Sequence, residues 1–261
     1  MSGGAGGPHG AVPDLYDDVA LYDLLHAGYR DDLAFYRTVA LDHPGVGVEI
    51  GAGAARVTPD LARLAERVVA VEPSAAMRAA GAARLAAHGL DDAVTWRPTP
   101  LEEGPSVEPG GYAWVVAPFH VLNEVPPLEG QDRLLRAARA ALADDGVFAF
   151  DAFAPPNDVS NDVPTLEIDH ADAEGRHVTA WRVRRYDPVR QTLVSRWVVD
   201  VTGADGTVVR RHARLVQWAW HRFELERALR AAGFGRVRLF GDLDRRPVGD
   251  DLVRFVGLAR P

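Results

Sequence analysis

The stretch that decides the fold is VEIGAGAARV, residues 48–57. A short apolar run ends here in glutamate and is followed by Gly51 and Gly53, the pattern of a buried strand that turns tightly into a helix and lets a ligand approach the backbone. In the dinucleotide-binding fingerprint G-x-G-x-x-G a third glycine would stand at position 56, where this chain has Arg56. The side chain of Arg56 would crowd a pyrophosphate. A simple tight turn without a ligand remains the alternative.

Two acidic residues indicate what the loop binds. Glu49 stands at the end of the first strand, where its charge would repel a diphosphate but attract a cationic amino-acid cofactor. Glu72 ends the next apolar run, RVVAVE, about 20 residues after Gly51, the distance at which a carboxylate accepts hydrogen bonds from ribose hydroxyls. The spacing of Glu72 fits a nicotinamide-dependent enzyme and its relatives alike, and Glu49 is the residue that favours a cationic amino-acid cofactor.

Strands and helices alternate around this loop. Strands are predicted at 45–50, 67–72, 93–97, 112–118 and 147–153, and helices from residue 58 and over 74–89 and 131–146. Such alternation is typical of an α/β fold with a parallel sheet covered by helices on both faces. Residues 21–40 have helical spacing and are interrupted at Gly28. Residues 164–219 alternate apolar and polar side chains, which predicts an inserted antiparallel sheet, and a helix at 223–235 and two strands follow.

These patterns divide the chain into five parts. We expect a disordered leader at 1–13, an N-terminal helical cover at 14–42, a cofactor-binding α/β core at 43–155, an antiparallel insertion that forms a substrate flap at 156–220, and the C-terminal part of the core at 221–261. The core sheet should have seven strands.

Composition excludes several chemistries. All 29 basic residues are arginine, so Schiff-base catalysis and a P-loop lysine are absent, and without cysteine there is no disulfide or thiolate. The histidines lack metal-binding spacing, so we expect no metal. The net charge of −8 argues against nucleic acid, and no apolar run suggests a membrane span or signal peptide. We expect a cytoplasmic protein that acts on a small molecule, with a homodimer as a candidate oligomeric state.

The motifs resemble those of a known family. EIGAGAAR and VVAVEPSAAM are similar to the first two motifs of class I S-adenosylmethionine-dependent methyltransferases, and VVAPFHVLNEV is similar to the loop after their fourth strand. LYDLLHAGYRDDLAFY resembles the N-terminal cover of small-molecule members. The inserted sheet is similar to that of bacterial sugar N-methyltransferases and glycine N-methyltransferase. The resemblance implies a Rossmann-like seven-stranded sheet and S-adenosylmethionine as cofactor.

The resemblance also implies cofactor contacts by position. The residues that would contact the cofactor are Tyr22, Tyr29, Glu49, Gly51, Gly53, Ala55, Glu72, Pro73, Met77, Thr99, Pro100, Leu101, Pro118 and Phe119. Three positions depart from the family pattern: Ala55 replaces the third glycine, Thr99 replaces an aspartate that accepts from the adenine amino group, and Ala113 replaces an acid in strand four. Tyr22 and Tyr29 could equally be packing residues.

Candidates for the chemistry lie in the loop FHVLNE and in the insertion. His120 is a candidate general base or substrate-orienting residue, and Glu124 is a second candidate that could instead cap a helix. Four tryptophans, at positions 181, 197, 218 and 220, are candidate substrate contacts or the core of the flap itself. We expect Trp181 and Trp197 to pair across adjacent strands, and Trp218 and Trp220 to share a face. If they line the pocket, the acceptor is apolar or aromatic in part.

The resulting expectation is methyl transfer from S-adenosylmethionine to oxygen or nitrogen of a small molecule, with bacterial secondary metabolism as the candidate context. A cyclase, lyase or isomerase that keeps the scaffold but does not methylate is the alternative, which Thr99 and Ala113 leave open. A binding module with a vestigial pocket and a nicotinamide oxidoreductase are further alternatives, and Arg56 argues against the latter.

Overall fold

The computed structural model describes residues 12–26, 28–100, 103, 108–156, 161–172, 174–250 and 252–261. Most of the predicted leader, residues 1–11, lies outside this range, as does Leu101. The helices are α1 Val19–His26, α2 Leu33–Asp42, α3 Thr58–Ala62, α4 Ala75–Ala87, α5 Glu129–Ala141 and α6 Arg222–Ala231. The strands are β1 Val46–Ile50, β2 Arg67–Val71, β3 Val94–Arg97, β4 Tyr112–Ala117, β5 Leu142–Phe153, β6 Pro164–Ala171, β7 His177–Asp187, β8 Thr192–Thr202, β9 Val208–Trp218, β10 Arg236–Phe240 and β11 Arg254–Arg260.

The main sheet has seven strands in the order β10-β11-β5-β4-β1-β2-β3, which confirms the predicted α/β class. The strands β1 to β5 run parallel, and β11 is antiparallel to both β5 and β10. Because β1 pairs with β2 on one side and β4 on the other, the strand order reverses at β1. The loops that follow β1, β2 and β4 therefore meet at one edge, where open α/β sheets bind their ligands.

Both faces of this sheet are buried, because successive side chains of each strand point to opposite sides. Val48 and Ile50 of β1 pack on one face in a cluster with residues of α5 and α6. Trp114 and Val116 of β4 pack on the other face with α2 and α3. Helices therefore cover both sides of the strands whose ends carry the loops of the site.

The predicted helix 131–146 is wrong at its end. Helix α5 stops at Ala141 because Leu142 already pairs with Tyr112 of β4. The predicted break near Gly28 is confirmed, since α1 and α2 are separate helices on either side of it. No helix in the described part of the chain is long and apolar enough to cross a membrane.

The insertion forms a separate antiparallel sheet in the order β6-β7-β8-β9, as predicted. We call this sheet the flap. Its inner face packs on the start of the chain and α1 in a third cluster that contains Leu15, Leu21, Val178 and Trp197. The helical cover therefore lies between the flap and the core.

The expected pairing of Trp181 with Trp197 is wrong. The register places Trp181 opposite Val198, and Trp197 opposite Arg182, so the two indole rings lie on opposite faces of the flap. The prediction placed both residues on the correct strands but was wrong by one position in register, which reverses the face.

Candidate functional site

The glycine loop after β1 is held in place by the neighbouring strand. The backbone N–H groups of Gly51 and Ala52 both donate to the carbonyl of Val71, at 2.8 and 3.0 Å. Gly51 has φ of +69°, and a Cβ atom there would lie 2.4 Å from Cγ2 of Val121. Gly53 and Ala55 also have positive φ, of 56° and 60°. Ala55, which stands where the related sequences have a third glycine, thus keeps a left-handed backbone although it carries a methyl group.

A cavity of about 420 Å³ lies beside this loop. Its walls include Glu49, Gly51 and Gly53 from the core, and Pro118 and Phe119 from the loop after β4. Helix α1 contributes Tyr22 and His26. The volume lies within the range that accommodates a small-molecule ligand. We call it the cofactor cavity.

The carboxylate of Glu49 makes this cavity suitable for a cation. The side chain is 1% exposed, and its Oε2 atom has no hydrogen-bond partner. Burial raises the pKa of Glu49 to about 8. An ammonium group beside it would both supply the missing donor and stabilise the ionised form. The sequence-based interpretation of Glu49 as the contact for an amino-acid cofactor fits this environment.

Glu72, which directly follows β2, accepts hydrogen bonds from the glycine loop and from the start of α4. One of its oxygens accepts from the N–H of Gly53 at 2.9 Å and the other accepts from the N–H of Ser74 at 2.8 Å. Burial raises the pKa of Glu72, although these two N–H donors oppose the shift. Glu72 does not line the cofactor cavity, so its contact with a ribose stays a prediction.

The other residues predicted for the adenine end also lie away from that cavity. Met77 is buried in α4 and Thr99 is buried after β3, while Pro73 is exposed and Pro100 is half-buried. Ala55 is fully buried beneath the loop. Leu101 lies outside the described residues.

Arg56 forms a buried ion pair that sequence analysis did not anticipate. Its guanidinium donates to both carboxylate oxygens of Asp32, at 2.7 and 2.5 Å, and Asp32 is fully buried. The same guanidinium lies 4.8 Å from the ring centroid of Phe119 and 5.2 Å from that of Tyr29. Arg56 therefore joins the glycine loop to the helical cover. Asp32 gives no sequence signal, because it lies 24 residues from its partner.

A second cavity of about 310 Å³ adjoins the first and lies between the core and the flap. Tyr22, His26 and Phe119 line both cavities, and the His26 ring contacts the rings of Tyr22 and Phe119 at centroid distances of 4.6 and 5.1 Å. Burial lowers the pKa of His26 to about 4, so this imidazole is neutral at pH 7. No motif in α1 distinguishes His26, so this residue could not be predicted from the sequence.

The polar walls of the second cavity include His120, Glu124, Tyr16 and Gln217. Tyr29 lines this cavity rather than the first, and its hydroxyl accepts from Arg254 at 2.7 Å. We call this second cavity the acceptor cavity.

His120 is oriented by Asp151, which is 1% exposed. Phe119 and His120 both have positive φ, of 57° and 65°, and this turn aims both N–H groups at the Asp151 carboxylate, at 2.8 and 3.1 Å. Tyr36 donates its hydroxyl to the same carboxylate at 2.5 Å. Nδ1 of His120 lies 2.9 Å from Oδ2 of Asp151, although off the direction of a straight hydrogen bond.

These donors determine the charge of Asp151. Burial alone would raise its pKa, but the neighbouring His120, the Tyr36 hydroxyl and the Phe119 N–H outweigh burial and lower it. The ionised Asp151 favours a proton on Nδ1 of His120, which leaves Nε2 of a neutral imidazole as an acceptor. The predicted base is thus accompanied by an orienting carboxylate.

Glu124 does not cap a helix start. Its carboxylate accepts from Nε2 of Gln217 in β9 at 2.6 Å, and burial raises its pKa to about 8. At pH 7 the carboxyl group is therefore mostly protonated, in contrast to Asp151. The two acids differ in charge because the neighbouring His120 side chain and three donors outweigh burial at Asp151, whereas burial dominates at Glu124 despite its bonds from Gln217 and Tyr16.

One of the four tryptophans lines the acceptor cavity. Trp197 does so, whereas Trp181 is 39% exposed on the outer face of the flap. Trp220 lies beyond the end of β9 in the main core, where its indole N–H donates to the carbonyl of Leu122 at 3.1 Å. Trp218 ends β9 and does not share a strand face with Trp220. Of the four tryptophans expected to line a pocket, only Trp197 lines the acceptor cavity.

Within the described ranges, no group of three His, Asp or Glu side chains is placed to hold a metal ion.

Comparisons with known proteins agree with this geometry. Residues 48–148 match the model of a family described as a methyltransferase domain. A search of curated protein sequences finds no match. The structure is similar to the methyltransferase CcbJ from Streptomyces caelestis, with 23% identity, a TM-score of 0.76, and coverage of 95% of this chain and 98% of that one.

Two sugar-modifying enzymes share the fold. The sugar N-methyltransferase KedS8 from a Streptoalloteichus species has 18% identity and a TM-score of 0.74, over 100% of this chain and 99% of that one. CalS10, an amino pentose methyltransferase from Micromonospora echinaspora solved with S-adenosylmethionine, has 18% identity and a TM-score of 0.74, over 94% and 97%. Residues 48–148 therefore match a methyltransferase domain, and the chain as a whole shares the fold of these S-adenosylmethionine-dependent methyltransferases, including their glycine loop and strand order.

Proposed function

We propose that the protein transfers a methyl group to an amine or hydroxyl of a small polar molecule bound between the core and the flap. The observation that carries the proposal is the junction of the two cavities. Tyr22, His26 and Phe119 line both, so a donor in the first cavity and an acceptor in the second meet across these rings. Methyl transfer is an in-line displacement that depends chiefly on such alignment.

Different residues around the cofactor cavity would contact different parts of the cofactor. Glu49 would hold the cationic amino-acid end, and the left-handed backbone at Gly51 and Gly53 allows close approach. S-adenosylmethionine supplies an activated methyl group on a sulfonium. Aromatic faces favour a cation beside them, and Phe119 and Tyr22 present such faces at the junction.

His120 is the residue we assign to proton removal. It lines the acceptor cavity, and Asp151 holds its Nδ1, so Nε2 is free to accept a proton from an incoming hydroxyl or ammonium. Glu124 would contact the acceptor as a neutral carboxyl group at pH 7, because its pKa is about 8.

The chemistry of the walls favours a polar acceptor. Tyr16, Glu124, Ser195 and Gln217 present hydrogen-bonding groups, and Trp197 is the one tryptophan among the described lining residues. Alternating polar groups and an aromatic ring suit a hydroxylated or amino-substituted ring. KedS8 and CalS10, named for sugar and amino pentose methylation, support an amino sugar or a similar bacterial metabolite as acceptor.

The test is formation of S-adenosylhomocysteine from S-adenosylmethionine over a panel of small amines and alcohols. His120→Asn should lower kcat by about 100-fold, the usual effect of losing a general base, and leave the Kd for S-adenosylhomocysteine unchanged. The control is His177→Asn, because His177 pairs with Asp169 at 2.7 Å on the flap surface, away from both cavities.

Equal loss of activity in both variants would contradict the assignment of His120. Conversion of an acceptor without consumption of S-adenosylmethionine would instead support a non-methylating enzyme on the same scaffold.

A further inference from the structure

A third cavity, of about 500 Å³, continues from the acceptor cavity along the inner face of the flap. His120, Arg182, Ser195 and Gln217 line both. Arg184 lines only the third cavity, two positions after Arg182 on β7, so both arginines point to the same face. The cavity lies beyond His120 as seen from the cofactor.

Only Arg182 of these two arginines has an acidic partner among the described residues. Nε and one terminal nitrogen of Arg182 lie 3.0 and 2.9 Å from Oε1 of Glu167, and the guanidinium lies 5.0 Å from the ring of Trp197. The side chain of Arg184 has no hydrogen bond or ion pair within the described ranges. Burial lowers the pKa of Arg182, and the neighbouring charge of Arg184 lowers it further. The two guanidinium groups therefore repel each other.

Among the described residues, the other groups around the cavity do not compensate this charge. The charge of Asp151 is directed at His120, and Glu124 is mostly protonated at pH 7. Arg182 and Glu167 cancel, which leaves the positive charge of Arg184 facing the cavity. Arg185, the next residue on the strand, points to the outer face and pairs there with Asp162.

We propose that this cavity binds an oxyanion of the acceptor, a phosphate, phosphonate or carboxylate group, through Arg184 and Arg182. The inference rests on the proposed function, since it specifies the acceptor of the same site. A planar guanidinium with unused N–H donors binds such groups through two parallel hydrogen bonds. The Ser195 hydroxyl and the Gln217 amide line the same space and offer further donors.

Continuity between the cavities sets the shape of the acceptor. The reacting nitrogen or oxygen would lie near Phe119 and His120, and the anionic group would lie on the far side of His120 beside Arg184. An acceptor with its charge at one end and its nucleophile at the other fits this arrangement.

The experiment is calorimetric titration of glucosamine 6-phosphate and of glucosamine into the complex with S-adenosylhomocysteine. The wild type should bind the phosphorylated probe about tenfold more tightly. Arg184→Gln should abolish that preference, Arg184→Lys should restore part of it, and Arg185→Gln should behave as the wild type. Affinity for S-adenosylhomocysteine should be the same in all four proteins.

Two results would overturn the inference: equal or undetectable binding of both probes to the wild type at millimolar concentration, or an intact phosphate preference in Arg184→Gln. Its failure is distinct from failure of the proposed function. If the phosphate site is present and no acceptor is methylated, the proposed function is wrong and the anion site remains.

Discussion

Binding of the cofactor should release a proton from Glu49. In the free protein the pKa of this buried carboxyl is about 8, so at pH 7 about nine molecules in ten carry the proton. An ammonium group beside Glu49 favours the ionised form, and the α-amino group of a free amino acid, which is more basic than a peptide α-amino group with its pKa of about 7.7–8.0, is protonated below pH 7. The complex therefore binds fewer protons than the free protein, and a higher pH favours binding.

The magnitude follows from the same pKa. One unit of difference between pH 7 and a pKa of about 8 costs about 1.4 kcal/mol, which corresponds to a factor of about ten in affinity. The Kd for S-adenosylhomocysteine should thus fall about tenfold between pH 6 and pH 7 in the wild type. The Glu49→Gln variant has no titrating group at this position, so its Kd for S-adenosylhomocysteine should not change between pH 6 and pH 7.

Isothermal titration calorimetry measures both quantities. Titrations at pH 7 in phosphate and in Tris, which differ in ionisation enthalpy, should give a release of about 0.9 protons per bound ligand for the wild type and none for Glu49→Gln. Glu66→Gln, at an exposed acid in the turn before β2, is the matched control and should retain the release. A wild-type protein with no proton release and no pH dependence would refute the assignment of Glu49 as the contact for the cofactor ammonium.

Three further outcomes are expected. Gly51→Ala should lower the free energy of unfolding in urea by more than about 2 kcal/mol, because it places a Cβ 2.4 Å from Val121 on a residue with a left-handed backbone. Gly53 also has a left-handed backbone but has open space around it, so Gly53→Ala should lower the free energy of unfolding by about 1 kcal/mol. Asp151→Asn should lower the free energy of unfolding by about 2 kcal/mol at pH 7. Because the folded pKa of Asp151 is lowered, the difference from the wild type should disappear as the pH falls through that pKa, and a constant difference would contradict the role of its charge. Glu124→Gln should keep the wild-type rate of methyl transfer at pH 6.5, where Glu124 is protonated, and depart from it above pH 8; divergence at low pH would contradict the raised pKa.

Local patterns carried most of the fold prediction. Gly51, Gly53 and the acids at 49 and 72 occupy fixed places relative to β1 and β2, so the strand–turn–helix unit could be recognised from sequence. The alternation of residues 164–219 was sufficient to predict an antiparallel sheet. It was insufficient for the register between β7 and β8, since a shift of one residue keeps the alternation and reverses the face, which is why Trp181 was misplaced.

The chemistry of the site depended on pairs that are distant in sequence. Asp151 is a strand residue with no motif, and it becomes the partner of His120 only because β4 and β5 are neighbours. Asp32 and Arg56 likewise meet through the packing of α2 on the glycine loop. His120 could be proposed from its place after β4, but its orienting carboxylate, and the difference in charge between Asp151 and Glu124, follow from tertiary contacts alone.

Successive side chains of the flap strands point alternately toward the cavities and toward solvent, so the two sets of residues can change independently in evolution. Side chains at positions 182, 184, 195 and 197 face the cavities, while their immediate neighbours, such as Arg185 and Trp181, face solvent. The glycine loop belongs to a different sheet. A lineage of such enzymes could therefore exchange inward-facing residues to adopt a new acceptor without altering donor binding, and vary the outward-facing ones for solubility without altering either. Acceptor choice is in this sense encoded at every second residue of β7 and β8.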